Sequence, residues 1–322
     1  MKNILVTGGC GFIGSNFVRT FHDKYNIVVL DALTYCGRKE NIKDTRHKFI
    51  HGDIRNERLV DMIMKKNSID SIVHFAASTH VDRSIHRPFE FVSNDVLGTT
   101  ILLEAARKYS IDRFIMISTD EIYGPIKKGS FSEDAPFKPS SPYSASKAGA
   151  DLICQSYYKT YGLPIITVRP SNNFGYMQFL EKLIPRFTVL ALQNKKLPIF
   201  GNGSQKREWI YVLDCIKAID LVIQKGKLGE AYNVGGGEKN EKTNLWITKF
   251  ILEELRKPES LMEFVKDRPS HDVRYSINSS KIKRLGWKPE WTLENALKKT
   301  IQWYKNNHDY WYPFIKDKFI KR

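Results

Sequence analysis

The apolar run at residues 4–7, followed at once by Gly8-Gly9-Cys10-Gly11-Phe12-Ile13-Gly14, constrains this chain more than any other stretch. A short strand running straight into closely spaced glycines and then a helical pattern opens a βαβ unit. The glycines permit a tight turn, a close backbone approach to a pyrophosphate, and close helix–strand packing. Further apolar runs at residues 27–30, 48–51, 71–75, 114–117 and 165–168 alternate with helical patterns, and a seventh at 231–234 ends at Gly235-Gly236-Gly237. Most are continuously apolar rather than alternating, as parallel strands covered on both faces require. The fold class that follows is α/β: a Rossmann-like, doubly wound parallel sheet with right-handed crossovers.

After about Ser171 the pattern loses its regularity, with Pro185, Pro198, Gly201-Asn202-Gly203, Pro269 and Pro289 breaking it into shorter elements. We expect a dinucleotide-binding domain over residues 1–171 plus about 207–236, and a smaller C-terminal α/β substrate lobe over 172–206 and 237–322. The 322 residues suffice for a large core.

Several function classes recede. The chain carries 51 basic against 35 acidic residues, a formal charge of +16, yet the cations are scattered and no nucleic-acid motif accompanies them. Net charge alone speaks to solubility and steering, so no specific nucleic-acid partner is expected. The four cysteines (Cys10, Cys36, Cys154 and Cys215) form no CxxC pair, so neither a metal site nor a disulfide framework is indicated. No apolar stretch approaches the roughly 20 residues of a membrane span, and no signal-peptide core follows Met1. A cytoplasmic location is expected.

Asp31 closes the second apolar run, where it can accept hydrogen bonds from the adenosine ribose hydroxyls and repel a 2′-phosphate. It points to NAD rather than NADP, although Arg38-Lys39 lies close by in sequence. Asp53-Ile54 after the third run and Ala76-Ala77-Ser78-Thr79 after the fourth stand at strand ends where a ligand would pass.

Two further segments carry chemistry. Ser141-Pro142 reads as an N-cap followed by proline at the first helical position. Tyr143 and Lys147 then share one helix face, so that the ammonium should favour phenolate and make Tyr143 a base for a hydroxyl proton. Standing alone, YxxxK is an ordinary surface pair; downstream of the glycine run it reads as catalytic. Thr119-Asp120-Glu121 follows the fifth run and supplies two adjacent carboxylates. Those serve as an acid and a base if their surroundings separate their pKa values.

With these motifs in hand, residues 1 to about 305 resemble the nucleotide-sugar 4,6-dehydratases of the extended short-chain dehydrogenase/reductase superfamily, especially those acting on dTDP-glucose and UDP-glucose. The resemblance rests on TGGCGFIGS, DALTY, HGDI, FAASTHVDRS, STDEIYG, SPYSASKAGAD, SNNFG, EKLIPRF, LPIFGNGSQKREWIYV and DRPSHDVRY. It implies NAD as a retained cofactor, a nucleoside-diphosphate glucose as substrate, and a homodimer formed through helices that include the stretch after Tyr143. It implies cofactor contacts from Gly8, Gly11, Phe12, Ile13, Gly14, Asp31, Ala32, Leu33, Thr34, Asp53, Ile54, Phe75, Ala76, Ala77, Ser78, Ser93, Tyr143, Lys147 and Asn173. Substrate contacts are implied for Thr79, Thr119, Asn172, Lys182, Leu183, Pro198, Ile199, Phe200, Arg207, Asn244, Asp267, Arg268 and His271. In the implied reaction, Tyr143 takes the C4 hydroxyl proton while Lys147 lowers its pKa, and Thr119 hydrogen-bonds near the C4 oxygen. Glu121 takes the C5 proton, and protonated Asp120 donates to the leaving C6 hydroxyl. Ser270, Leu180 and Tyr176-Met177 depart from the family pattern around the expected nucleotide pocket and leave thymine versus uracil open. A UDP-hexose 4-epimerase would share Tyr143 and Lys147 but needs no acid–base pair at C5 and C6.

Overall fold

A computed structural model describes residues 1–267 and 272–315. Seven parallel strands form the central sheet: β1 (Asn3–Thr7), β2 (Asn26–Asp31), β3 (Lys48–His51), β4 (Ser71–His74), β5 (Arg113–Ile117), β6 (Ile165–Pro170) and, after a second small sheet in the chain, β10 (Ala231–Val234). Their order is β10-β6-β5-β4-β1-β2-β3. The direction in which successive strands are added reverses between β1 and β4, and at such a switch point the connections leave opposite ways and open a crevice.

Burial on both faces explains the unbroken apolar runs. Along β1, Ile4 and Val6 face one layer with Val29, Val73 and Ile115. Leu5 faces the other with Leu30, Ile72 and Phe114. The first layer is covered by helices Phe12–Phe21 and Val212–Lys225, which contribute Phe17, Val18, Ile216 and Ile219. The second is covered by helices Glu57–Asn67, Gly98–Lys108 and Pro142–Tyr161 through Val60, Ile63, Leu102, Leu103 and Cys154.

The remaining strands lie outside this sheet. β7 (Asn172–Phe174), β9 (Lys206–Tyr211) and β11 (Glu241–Thr243) form one small sheet; β8 (Leu197–Phe200) pairs with β12 (Met262–Val265). Residues 207–211, expected with the first lobe, hydrogen-bond instead in the small sheet through β7 and β11. Trp209, Ile210 and Tyr211 nonetheless share one core with the first layer, which helix Val212–Lys225 then covers. Arg169 on β6 locks the second helical layer in place. Its Nε and Nη2 donate to the Asp151 carboxylate at 2.9 and 3.0 Å, and its Nη1 donates to the Tyr123 hydroxyl at 2.7 Å. Both charges are buried, and removing one would leave the other uncompensated. Among the described residues no helix is long and apolar enough to cross a membrane.

Candidate active site

The glycine run forms a cradle at the carboxyl end of β1. Gly8 adopts φ +70°, and a Cβ there would lie 2.5 Å from the Ala76 amide nitrogen; one on Gly14 would lie 2.3 Å from the Gly8 carbonyl oxygen. Both positions therefore require glycine: Gly8 presses the turn against the loop after β4, and Gly14 presses the start of the helix against the turn. Helix Phe12–Phe21 starts here, and its first-turn amides are a ready anion site. Asp31 is buried at the end of β2, its Oδ2 accepting from the Cys10 amide and its Oδ1 from the Leu33 amide, both at 2.8 Å. Burial raises its pKa while these two amides oppose the rise. A close-approach turn, a helix N-terminus and a carboxylate at the next strand end fit a dinucleotide.

The other expected cofactor residues surround this cradle. Phe75 packs on Phe17 at 5.5 Å between ring centroids. The Ser78 amide donates to Asp95 at 2.8 Å. Asp53 is held by the Arg55 guanidinium, which draws its pKa down; Arg55 also donates to Ser93 at 3.2 Å. Ile54 is buried beneath Gly98. Ser93 and Asp95 lie on a π-helical stretch, Val92–Leu97, a wide turn often found beside functional groups.

The side chains expected to be catalytic converge where β5 ends. Thr119 caps the 3₁₀ turn Asp120–Tyr123, accepting from the Glu121 amide and donating to Asp120 Oδ1, each at 3.3 Å. Asp120 is 3% exposed, and its Oδ2 has no hydrogen-bond partner among the described residues. Burial, then the charges of Glu121 and Glu208, raise its pKa well above the carboxylate range. Ser141 and Ser144 form a reciprocal capping box, with Pro142 in the first turn, and this places Tyr143 on the same crevice.

The expected effect of Lys147 on Tyr143 is not what the protein alone produces. The Lys147 ammonium donates to the Ile117 carbonyl at 2.7 Å. Burial, then Glu121, hold the Tyr143 phenol well above its ordinary pKa, while a Thr119 hydrogen bond works the other way. Desolvation acts on every charged form in this pocket, and helix-face spacing does not register it. Lys147 is itself lowered by burial, with Asp95 and Asp151 opposing.

The expected substrate residues fall into two groups. Lys182, which precedes helix Leu183–Leu192, donates to the Thr79 carbonyl at 2.7 Å and so ties the loop after β4 to the second lobe. Buried Oδ1 atoms of Asn172 and Asn173 lack partners among the described residues. Pro198, Ile199 and Phe200 line β8. Asp267 accepts from Gln205 at 3.1 Å, and the Asn244 amide donates to the Gln205 carbonyl at 3.0 Å. Arg207 reaches toward the reactive group: it opposes the rise in the Asp120 pKa, stacks over Tyr275 at 4.8 Å, and donates to the Lys206 and Asp272 carbonyls. Arg268, Ser270 and His271 lie outside the described residues.

Leu180 and Tyr176, read from sequence as departures near the nucleotide, have core packing partners. Leu180 is buried, and the Tyr176 ring meets Tyr211 and Trp303. Sequence reasoning also missed two buried carboxylates. Glu208 accepts from the amides of Gly237 and Ile277 at 2.8 and 3.0 Å and raises the Asp120 pKa. Asp95 accepts from Ser146 at 2.7 Å beside Lys147. Both carboxylates follow polar neighbours, Lys206-Arg207 and Ser93-Asn94, so no local signal in the sequence marks them as buried.

Comparison with known proteins bears on the same site. The family model described as GDP-mannose 4,6 dehydratase matches residues 5–300. The chain is 49% identical to a low-salt glycan biosynthesis protein of Haloferax volcanii, over 94% of this chain and 98% of that one. It is 44% identical to the dTDP-glucose 4,6-dehydratase of Haemophilus influenzae, over 95% of this chain and 99% of that one. Its fold matches the NAD-bound crystal structure of the dTDP-glucose 4,6-dehydratase DesIV from Streptomyces venezuelae. That match has a TM-score of 0.93 and 42% identity, and covers 97% of this chain and 99% of the other.

Proposed function

The chain belongs to the GDP-mannose 4,6 dehydratase family and is an NAD-dependent nucleotide-sugar 4,6-dehydratase, and on that premise we propose that it converts dTDP-glucose to the 4-keto-6-deoxyglucose nucleotide. The observation that carries our assignment of roles is Asp120, a buried carboxyl whose pKa is pushed well up by burial and by Glu121 and Glu208 and whose Oδ2 is unpartnered among the described residues, beside Glu121 and Tyr143. A protonated acid next to a carboxylate base is what loss of water across C5 and C6 needs. A 4-epimerase would have no use for it.

When bound, NAD supplies the acceptor for the C4 hydride and returns that hydride at C6. In our reading the chain's own residues handle the protons. Tyr143 takes the C4 hydroxyl proton, with Thr119 holding the same oxygen. The resulting ketone acidifies C5–H, and Glu121 removes that proton. Asp120 gives its proton to the C6 hydroxyl, which leaves as water. Glu121 then returns a proton to C5 as C6 is reduced. The positive charge of oxidised nicotinamide would favour the Tyr143 phenolate, opposing the burial and the Glu121 charge that hold the phenol neutral. Arg207 supports the reading as a diphosphate ligand because guanidinium matches phosphate geometry.

We also propose a homodimer. Helices Val81–His86, Pro88–Phe91 and Pro142–Tyr161 pack together. This helical layer leaves Phe89 80% and Leu152 52% exposed, along with Ile85, Val92 and Leu97.

Mass spectrometry after separate incubations with dTDP-glucose, UDP-glucose and GDP-mannose tests the substrate: loss of one water is expected from dTDP-glucose, and more slowly from UDP-glucose. Turnover of GDP-mannose alone refutes the substrate assignment. Glu121→Gln should accumulate NADH in a single turnover while water loss slows at least a hundredfold, whereas Tyr143→Phe should form no NADH. Near-normal turnover by Glu121→Gln refutes its role as the C5 base.

A further inference from the structure

Arg38 follows Gly37, whose backbone lies against Asp31: a Cβ on Gly37 would sit 2.8 Å from Asp31 Oδ1. The Arg38 amide donates to the Cys10 carbonyl at 3.0 Å, and the Cys10 amide in turn donates to Asp31. The Arg38 backbone therefore belongs to the rim around the Asp31 carboxylate. A guanidinium released there would be a ready partner for a ribose 2′-phosphate, since arginine binds phosphate through paired donors.

In this protein the Arg38 side chain is committed elsewhere. Its Nη1 donates to the Tyr310 carbonyl at 2.7 Å, and the guanidinium carbon lies 4.8 Å from the ring centroids of both Tyr310 and Phe314. Glu40 adds a carboxylate at 3.7 Å, and the Arg38 side chain is only 19% exposed. The aromatic cradle is itself anchored. The Tyr310 hydroxyl donates to the Met177 carbonyl at 2.7 Å, and Phe314 packs edge-on against Phe179 at 5.3 Å. Lys39, the other cation of the loop, lies over the Phe49 ring at 5.0 Å.

We propose that the aromatic segment at residues 310–314 is a cofactor-specificity element, which holds Arg38 in a cradle of two rings and a carbonyl and so denies a 2′-phosphorylated dinucleotide its cationic partner. Asp31 provides the repulsion and the C-terminal segment withholds the attraction. The inference rests on Asp31 facing the adenosine ribose. It explains how a chain with Arg-Lys directly after that loop remains an NAD protein.

Calorimetric titration of nucleotide-stripped protein with NAD and with NADP tests it without recourse to turnover. Removing both rings (Tyr310→Ala with Phe314→Ala) should tighten NADP relative to NAD by about tenfold, the size of one charged phosphate hydrogen bond regained. Adding Arg38→Ala should return the ratio to within twofold of wild type. Arg38→Ala alone should also leave the ratio within twofold, because the wild-type guanidinium takes no part. Phe314→Leu keeps an apolar side chain on Phe179 and should shift the ratio in the same direction by a smaller factor, which covers the case in which the double variant fails to fold. An unchanged ratio in the folded ring variants, or a tenfold change on Arg38→Ala alone, overturns the proposal. Asp31→Ala should loosen discrimination whatever the cradle does; if it does not, the ribose reading fails rather than the cradle.

Discussion

His74, at the end of β4, is 1% exposed and sits between two threonines. Its Nδ1 lies 2.7 Å from Thr7 Oγ1 and its Nε2 lies 3.0 Å from Thr99 Oγ1. The Thr99 hydroxyl donates its one proton to the Asp95 carbonyl, so it accepts from Nε2–H, and the Thr7 hydroxyl donates to Nδ1. With the proton on Nε2, both nitrogens of the neutral ring are paired, and it is burial rather than the hydrogen bonds that disfavours a second proton. Burial, then the charge of Lys147, lower the His74 pKa from the ordinary 6.5 to about 3. A depressed folded pKa means that this stabilisation is whole above pH 6.5 and is lost as pH falls toward 3. At about 1.4 kcal/mol per pH unit the full loss is about 5 kcal/mol, and about 2 kcal/mol of it is gone by pH 5. His74→Gln keeps one of the two hydrogen bonds and cannot titrate. It should cost about 1–2 kcal/mol at pH 7.5 and match or exceed wild type at pH 5. Urea unfolding of both proteins across that range, followed by tryptophan fluorescence, measures the crossing. A stability difference that stays constant from pH 7.5 to pH 5 would refute the assignment of His74 as a buried neutral ring.

Gly8→Ala should yield folded protein that has lost its NAD, because the new Cβ meets the Ala76 backbone, which cannot move aside. Gly129→Ala, at a similar φ of +77° but with nothing within 4 Å, should cost only about 1–2 kcal/mol of backbone strain and keep the cofactor; equal retention by the two variants, measured as NAD released on denaturation, argues against the cradle. Phe89→Glu, on the exposed helical layer, should convert the proposed dimer to a monomer in sedimentation equilibrium, and an unchanged mass would place any interface elsewhere.

Much of this protein was legible in local sequence. Continuous apolar runs located the seven central strands to within about two residues at either end, because a strand covered on both faces favours apolar side chains and admits a polar one only where it finds a buried partner, as Arg169 does in Asp151. Ser141-Pro142 located the start of the Tyr143 helix, because capping is satisfied within a single turn. What stayed hidden depends on residues far apart in the chain. Asp120 owes its raised pKa to burial, Glu121 and the distant Glu208, and the Tyr143 phenol is pushed up by burial and Glu121 rather than released by Lys147, whose ammonium is bonded to Ile117. Arg38 looks like an NADP ligand until Tyr310 and Phe314, some 272 positions away in the case of Tyr310, are folded over it. Periodicity and caps are short-range and survive in the sequence; desolvation and pairing are sums over neighbours that only the packed chain brings together.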